Sequence, residues 1–355
     1  MNLRNRTRQA GTSIVEMMIS ITIGLLILAG LSTILVSNSR ARTEIERANR
    51  QIENGRYAMQ LLGDDLRLAG YTAEFDPSNM TLPGALPDPC LVTLAALRNT
   101  FMLHVQGVDN AASIPSCLSD VKPGTDILVI RRASTCKAGI AGCTAAANDG
   151  TPYFQASLCF NNSELDVPIN NNPGDYLGAH YQLDNNLANL TLSKRDCTTT
   201  PPGTVAAIHR YRTHIYFIAN NNNAGDGIPT LMRAELGPGS GSIPDFAIVP
   251  LVDGIENLQI QYGIDLPTAD GIPDSYMANP LTVADWGAVV SAKINLLARN
   301  TEPTIGYSSD KTYTLGYDAS DTLIVAGPFG NNYKRHAYQS QVRLNNPAGR
   351  RMPSS

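Results

Sequence analysis

The run from Met17 to Val36 holds 20 residues without a single charge. That is about 30 Å of α-helix, enough to span the hydrocarbon core of a membrane. Whatever the rest of the chain folds into has to carry this helix at one end. Ahead of it stand Arg4, Arg6 and Arg8 with no acidic residue, so the amino terminus is expected to stay cytoplasmic and the bulk of the chain to be exported. A secretory signal peptide has its cleavage site behind the apolar core. Here the small residue suited to a cut, Gly11, lies in front, so the helix is expected to be kept. Glu16 is the one carboxylate at the head of the run; such a residue is costly in lipid and is a functional residue by default. A cut after Gly11 leaves a new α-amine on Thr12, and Glu16, fifth in the shortened chain, can neutralise the amine of a neighbouring subunit.

The helix is predicted to continue well past the membrane. Ile45, Ala48, Ile52, Gly55, Met59, Leu62, Leu66 and Ala69 recur at alternating spacings of three and four, a single stripe on a helix. Arg42, Glu46, Arg50 and Glu53 occupy the other side, and Gly70 is a natural stop. From Ser13 to Ala69 such a helix is about 85 Å long. Its second half is amphipathic and needs a surface to lie on.

With 22 Pro, 29 Gly and only 16% charged residues, the remainder suits a loop-rich, largely β domain. From Tyr71 onward it carries 18 basic and 25 acidic residues, a balance that does not favour binding nucleic acid. Strands are predicted at Asp126–Arg131, Arg210–Ala219, Leu231–Leu236 and Leu258–Tyr262. Further ones follow at the alternating Val290, Ala292, Ile294 and Leu296, and at Tyr338, Val342 and Leu344. These are amphipathic antiparallel strands with one face buried. The region from Leu82 to Pro202 shows little periodicity and reads as loops stapled onto a smaller sheet. All six cysteines lie in it. Export and an even count point to disulfides, and the expected pairs are the sequential ones, Cys90–Cys117, Cys136–Cys143 and Cys159–Cys197, because short loops close most easily. His209 and His214 are expected on opposite strand faces as surface or lightly packed residues.

The ordered leader, Gly11, Glu16 and apolar helix resemble a type IV prepilin of the amino-methylated class, although mature chains of that class usually begin with Phe and this one begins with Thr12. Gly55–Tyr71, Leu251–Gly263, Asp285–Arg299 and Tyr333–Asn345 are similar to blocks of the PilW family of minor pilins. The resemblance covers the first 71 residues and three later blocks. It implies an α+β, pilin-like fold: a long N-terminal helix packed on an antiparallel sheet, with a loop-rich, disulfide-containing insertion. The implied layout is a leader cleaved at Gly11/Thr12 (residues 1–11), a membrane and filament-core half-helix (12–37), an amphipathic half (38–70), a globular domain (71–346, with a Cys-rich excursion at 82–202) and a disordered tail (347–355). It further implies a structural subunit that helps initiate and assemble a pilus near its tip, with the inner membrane, prepilin peptidase, other minor pilins, the major pilin and a tip adhesin as partners. A minor pseudopilin of type II secretion and an adhesive module displayed on a pilus are alternatives.

No catalytic constellation or cofactor motif is visible, so a membrane-anchored periplasmic enzyme is the least supported reading. Asp265, Asp270 and Asp274 surround Gly271 and are weak calcium candidates. Their spacing does not match the twelve-residue calcium loop, and Asp, Gly and Pro are also what turns require.

Overall fold

The computed structural model describes residues 11, 13–157, 180–194, 205–240 and 243–353. The chain divides into two compact units at Arg50. Helix α1 (Ile14–Leu68) is one element of 55 residues. In the first unit its apolar side chains, from Ile14 to Val36, are uncovered, and the segment is long and apolar enough to cross a membrane. Its few hydroxyls are satisfied within the helix: Ser20, Thr22 and Ser32 donate to the carbonyls of Glu16, Met18 and Leu28 at 2.8 Å. Such back-bonding makes Ser and Thr tolerable in lipid.

The second unit is built from antiparallel strands. Its first half holds helix α2 (Leu94–Arg98) and strands β1 (Val105–Val108), β2 (Ile127–Lys137), β3 (Tyr153–Ala156) and β4 (Tyr181–Asp184), then β5 (Ile208–Ala219) and β6 (Thr230–Gly237). The second half holds β7 (Asp245–Asp253), β8 (Ile255–Ile264), β9 (Ser275–Met277), helix α3 (Val283–Gly287), β10 (Val289–Arg299), β11 (Tyr313–Tyr317), β12 (Leu323–Ala326), β13 (Arg335–Arg343) and helix α4 (Asn345–Arg351). A seven-stranded sheet is centred on β5, which has β2 and then β1 on one edge. Its other edge is shared: residues 208–210 pair with β3, which leads to β4, and residues 214–219 pair with β6, which leads to β7. A four-stranded sheet runs β13-β10-β8-β9, and β11 and β12 form a separate ribbon.

The main core lies where the end of α1 meets both sheets. Ala58, Leu62, Leu66 and Ala69 pack with Leu128, Ile130, Tyr216 and Ile218 of the first sheet and with Leu258, Ile260, Ile294, Leu296 and Val342 of the second. The alternation predicted for β8 and β10 is thus the pattern of one buried face. A separate cluster gathers Phe75, Phe101, Phe154, Tyr181 and Tyr211, with ring centroids 4.6–6.2 Å apart.

Four expectations need correction. The buried stripe of α1 includes Gly55, Leu62, Leu66 and Ala69 but runs through Gln51 and Ala58, while Ile52 is exposed. The rotation follows from Gly55, whose missing side chain makes room for the ring of Tyr338, and from Gln51, whose buried amide donates to the carbonyls of Ala298 and Lys334 at 2.9 and 3.0 Å. The 82–202 region is not confined to loops on a smaller sheet, since β1 to β4 come from it and belong to the larger one. Strands β3 and β4 are four residues long and almost wholly buried, so they show no alternation to read. The tail expected to be disordered forms α4, with Pro347 and Ala348 buried and the Arg350 guanidinium bonded to the Gly70 carbonyl and the Thr72 hydroxyl at 2.8 and 2.7 Å. His209 and His214 are both buried, each donating from Nδ1, to the Ser134 carbonyl and to the Asp65 carboxylate.

Candidate functional site

Two features are candidates for function: the amino-terminal end of α1, and the polar anchors that fix its other end to the sheets. At the first, Gly11 is exposed. Thr12 lies outside the described residues. Glu16 is exposed in the first turn of α1, where the unsatisfied N–H groups of a helix start favour a negative charge.

At the second, Asp65 is buried under the end of α1. One carboxylate oxygen accepts from Arg132 Nε at 2.6 Å; the other accepts from Tyr216 Oη at 2.8 Å and lies 2.6 Å from His214 Nδ1. Burial alone raises a carboxyl pKa, but His214 and Arg132 outweigh it and hold Asp65 well below the usual carboxylate range. Glu235, on β6, extends the network. It accepts from Arg212 and Arg233 at 2.5 and 3.0 Å and is held down to about 2, against its burial, by His214 and the arginines. These pairs fasten α1 to β2, β5 and β6.

A second anchor lies between the sheet and the ribbon. Arg335, whose side chain has no exposure, forks onto Glu256 through Nε and Nη2. It also donates to Ser309, Asn331 and the Tyr333 carbonyl and stacks on Phe329 at 3.6 Å. Lys122 and Arg299 stand 3.8 and 3.9 Å from the same carboxylate. A planar fork over a carboxylate with its remaining donors satisfied makes a buried ion pair tolerable.

The calcium candidates do not converge. Asp265 is fully buried and accepts from the N–H groups of Asp270 and Gly271 and from Arg351 Nε at 2.7 Å, whereas Asp274 is exposed. The loop carboxylate is therefore spent on α4 and on its own turn. Among the described residues no group of three or more His, Cys, Asp or Glu side chains is placed to hold a metal. Cys90 is joined to Cys117 and Cys136 to Cys143; the expected Cys159–Cys197 pair lies outside the described residues. Beside α4 a cleft of about 280 Å³ is lined by Phe101, His104, Arg350 and Arg351. Burial pushes His104 down to about 4, and its Nε2 is 2.7 Å from the Val289 carbonyl. That contact and the Asp65 and Glu256 anchors went unpredicted. Their one sequence signal was carboxylates set among leucines and other apolar residues, as Asp64 and Asp65 in Leu61–Leu68 and Asp253 and Glu256 in Leu251–Leu258.

A comparison with curated proteins gives no match. Among solved structures the chain is similar to a type IV-like pilin from Thermus thermophilus, at 13% identity and a TM-score of 0.37, over 84% of this chain and 96% of that one. The family model of the type IV pilus-assembly protein W matches residues 215–346. That span runs from within β5 to the start of α4 and contains the three later blocks quoted from the sequence. From residue 215 to 346, then, the chain is similar to the type IV pilus-assembly protein W family, PilW.

Proposed function

We propose that this protein is a structural, non-catalytic minor subunit of a type IV pilus that helps initiate the fibre near its tip, together with other minor pilins, the major pilin and a tip adhesin. The observation that carries the reading is the PilW segment at residues 215–346, in one chain with an uncovered apolar helix headed by Gly11 and Glu16. In this reading prepilin peptidase cuts after Gly11, the new amine belongs to Thr12, and the subunit waits in the inner membrane with its globular domain in the periplasm. Glu16 then neutralises the amine of a neighbouring subunit as the helix enters the fibre, because an unpaired charge in an apolar core is strongly unfavourable and a paired one is tolerable. The polar anchors give the helix a fixed seat on its own domain, so that the subunit is added as a unit.

Deleting the gene and restoring it with variants tests the reading. Loss of surface pili on deletion, restored by the wild-type chain, supports a pilus role. Normal piliation with impaired protein secretion would replace it by the minor-pseudopilin reading.

A further inference from the structure

Strands β13, β10 and β8 turn one face to the core and the other toward the β11–β12 ribbon. On this outer face the pairing aligns five amides and one lysine in two rows. Gln341, Lys293 and Gln261 form one, and Gln339, Asn295 and Gln259 the other. The ribbon does not close over them completely: a cleft of about 480 Å³ remains, lined among others by Gln261, Lys293, Asn295, Gln339 and Tyr317. Most of the outer amides have partners. Gln259 donates to the Gly124 carbonyl, Gln339 to the Thr314 carbonyl and Gln341 to the Tyr276 hydroxyl. Asn295 and Gln261 are different. They are only 5% and 9% exposed, both line the cleft, and among the described residues neither side-chain amide has a hydrogen bond. Their polar atoms open onto the cleft, where a ligand can supply the bonds that the protein does not.

We propose that this cleft binds a neutral saccharide. A side-chain amide presents donors and an acceptor in one plane, and paired hydroxyls of a sugar offer the complementary set. No carboxylate lines the cleft, which removes the ligands a cation needs. The one cation, Lys293, already lies 3.6 Å over the Tyr276 ring, so no guanidinium fork or ammonium cluster awaits an anion. An apolar ligand would bury the two amides without satisfying them. At the rim Tyr317 and Leu323 are 44% and 43% exposed and supply the apolar surface on which the C–H face of a sugar ring packs. The volume is within the range of small-ligand sites.

The test uses the purified full-length chain in micelles of a detergent without a sugar headgroup, with glucose, galactose, N-acetylglucosamine, maltose, lactose and galacturonate as probes. Binding is read by saturation-transfer NMR and by the thermal midpoint. At least one neutral sugar is expected to bind in the millimolar range. Asn295→Leu and Gln261→Leu should each weaken it by about tenfold or more without lowering the thermal midpoint of the unliganded protein, because each removes a polar group that has no partner. Should a floor variant fail to fold, Tyr317→Ala at the exposed rim gives the same reading and is expected to weaken binding several-fold. The proposal is overturned if no neutral sugar binds, if only galacturonate binds and Lys293→Met abolishes it, or if binding is unchanged in Asn295→Leu and Tyr317→Ala. A lowered midpoint in folded Asn295→Leu would likewise overturn it, showing that the amide serves the fold through bridging water.

Discussion

Replacing Asp65 tests the seat of α1 most directly. Its carboxylate is 5% exposed and is shared by Arg132, His214 and Tyr216. Asp65→Ala removes every one of these contacts and leaves the Arg132 guanidinium, 12% exposed, without its carboxylate. Breaking one side of a buried pair costs roughly 3–5 kcal/mol. For a folded unit of this size, where each kcal/mol moves the midpoint by about 2–4 °C, a fall on the order of 10 °C follows. Asp65→Asn keeps the shape and one acceptor and should lie about halfway. The pH dependence has a definite sign. The folded-state pKa of Asp65 is lowered, so its contribution is complete above the ordinary carboxylate pKa of about 4 and is lost as pH falls toward the depressed folded value. The gap between wild type and Asp65→Asn should therefore be full at pH 7 and shrink below about pH 4. Chemical denaturation of the full-length protein in micelles, followed by near-ultraviolet circular dichroism, measures both. A loss below about 1 kcal/mol for Asp65→Ala, or a gap that does not shrink in acid, would refute the claim that this carboxylate seats the helix.

Gly11→Val is expected to leave the chain at its precursor mass, whereas Glu16→Ala and Glu16→Gln should be cleaved yet assemble poorly, with Glu16→Asp between; precursor-to-mature ratio and pilus yield are read together, and normal piliation in Glu16→Ala would sink the charge-pairing idea. Gly55→Ala should destabilise the fold by about 1–3 kcal/mol through overlap with the Tyr338 ring, despite alanine's better helix propensity, and Tyr338→Ala should relieve the loss in the double variant. Asp126, buried between the amides of Asn110 and Ile260, is pushed up to about 7 by that burial. Its folded pKa is raised, so stability should fall as pH climbs from about 4 through 7 and then level off, with a carboxyl carbon titration by NMR showing the midpoint. Non-reducing mass spectrometry should find the Cys90–Cys117 and Cys136–Cys143 peptides linked, and Cys90→Ser with Cys117→Ser should cost roughly 2–4 kcal/mol.

The elements legible in the sequence are those whose two faces differ in polarity. α1 and strands β5, β6, β8, β10 and β13 were read within a few residues because an apolar face alternates with a polar one. β7 escaped because it is an edge strand with Ile248 and Val249 exposed and Pro250 in its middle, a composition that reads as a loop. β3 and β4 escaped because they are four residues long, too short to show a period. The polar anchors were beyond local reasoning: Asp65 finds His214 149 residues away, and nothing in either neighbourhood announces the other. The roll of α1 by which Ile52 faces out depends likewise on Tyr338, a distant partner.

The forked edge of β5 carries two strand pairs on separate residues. The pair β3–β4 is bonded only to residues 208–210 and packs into its own aromatic cluster rather than into the helix-bearing core. A strand pair attached there can be lengthened, replaced or exchanged for a foreign module while the register of β5 with β6 stays as it is. The fork is thus the position at which an engineered insertion should do least harm.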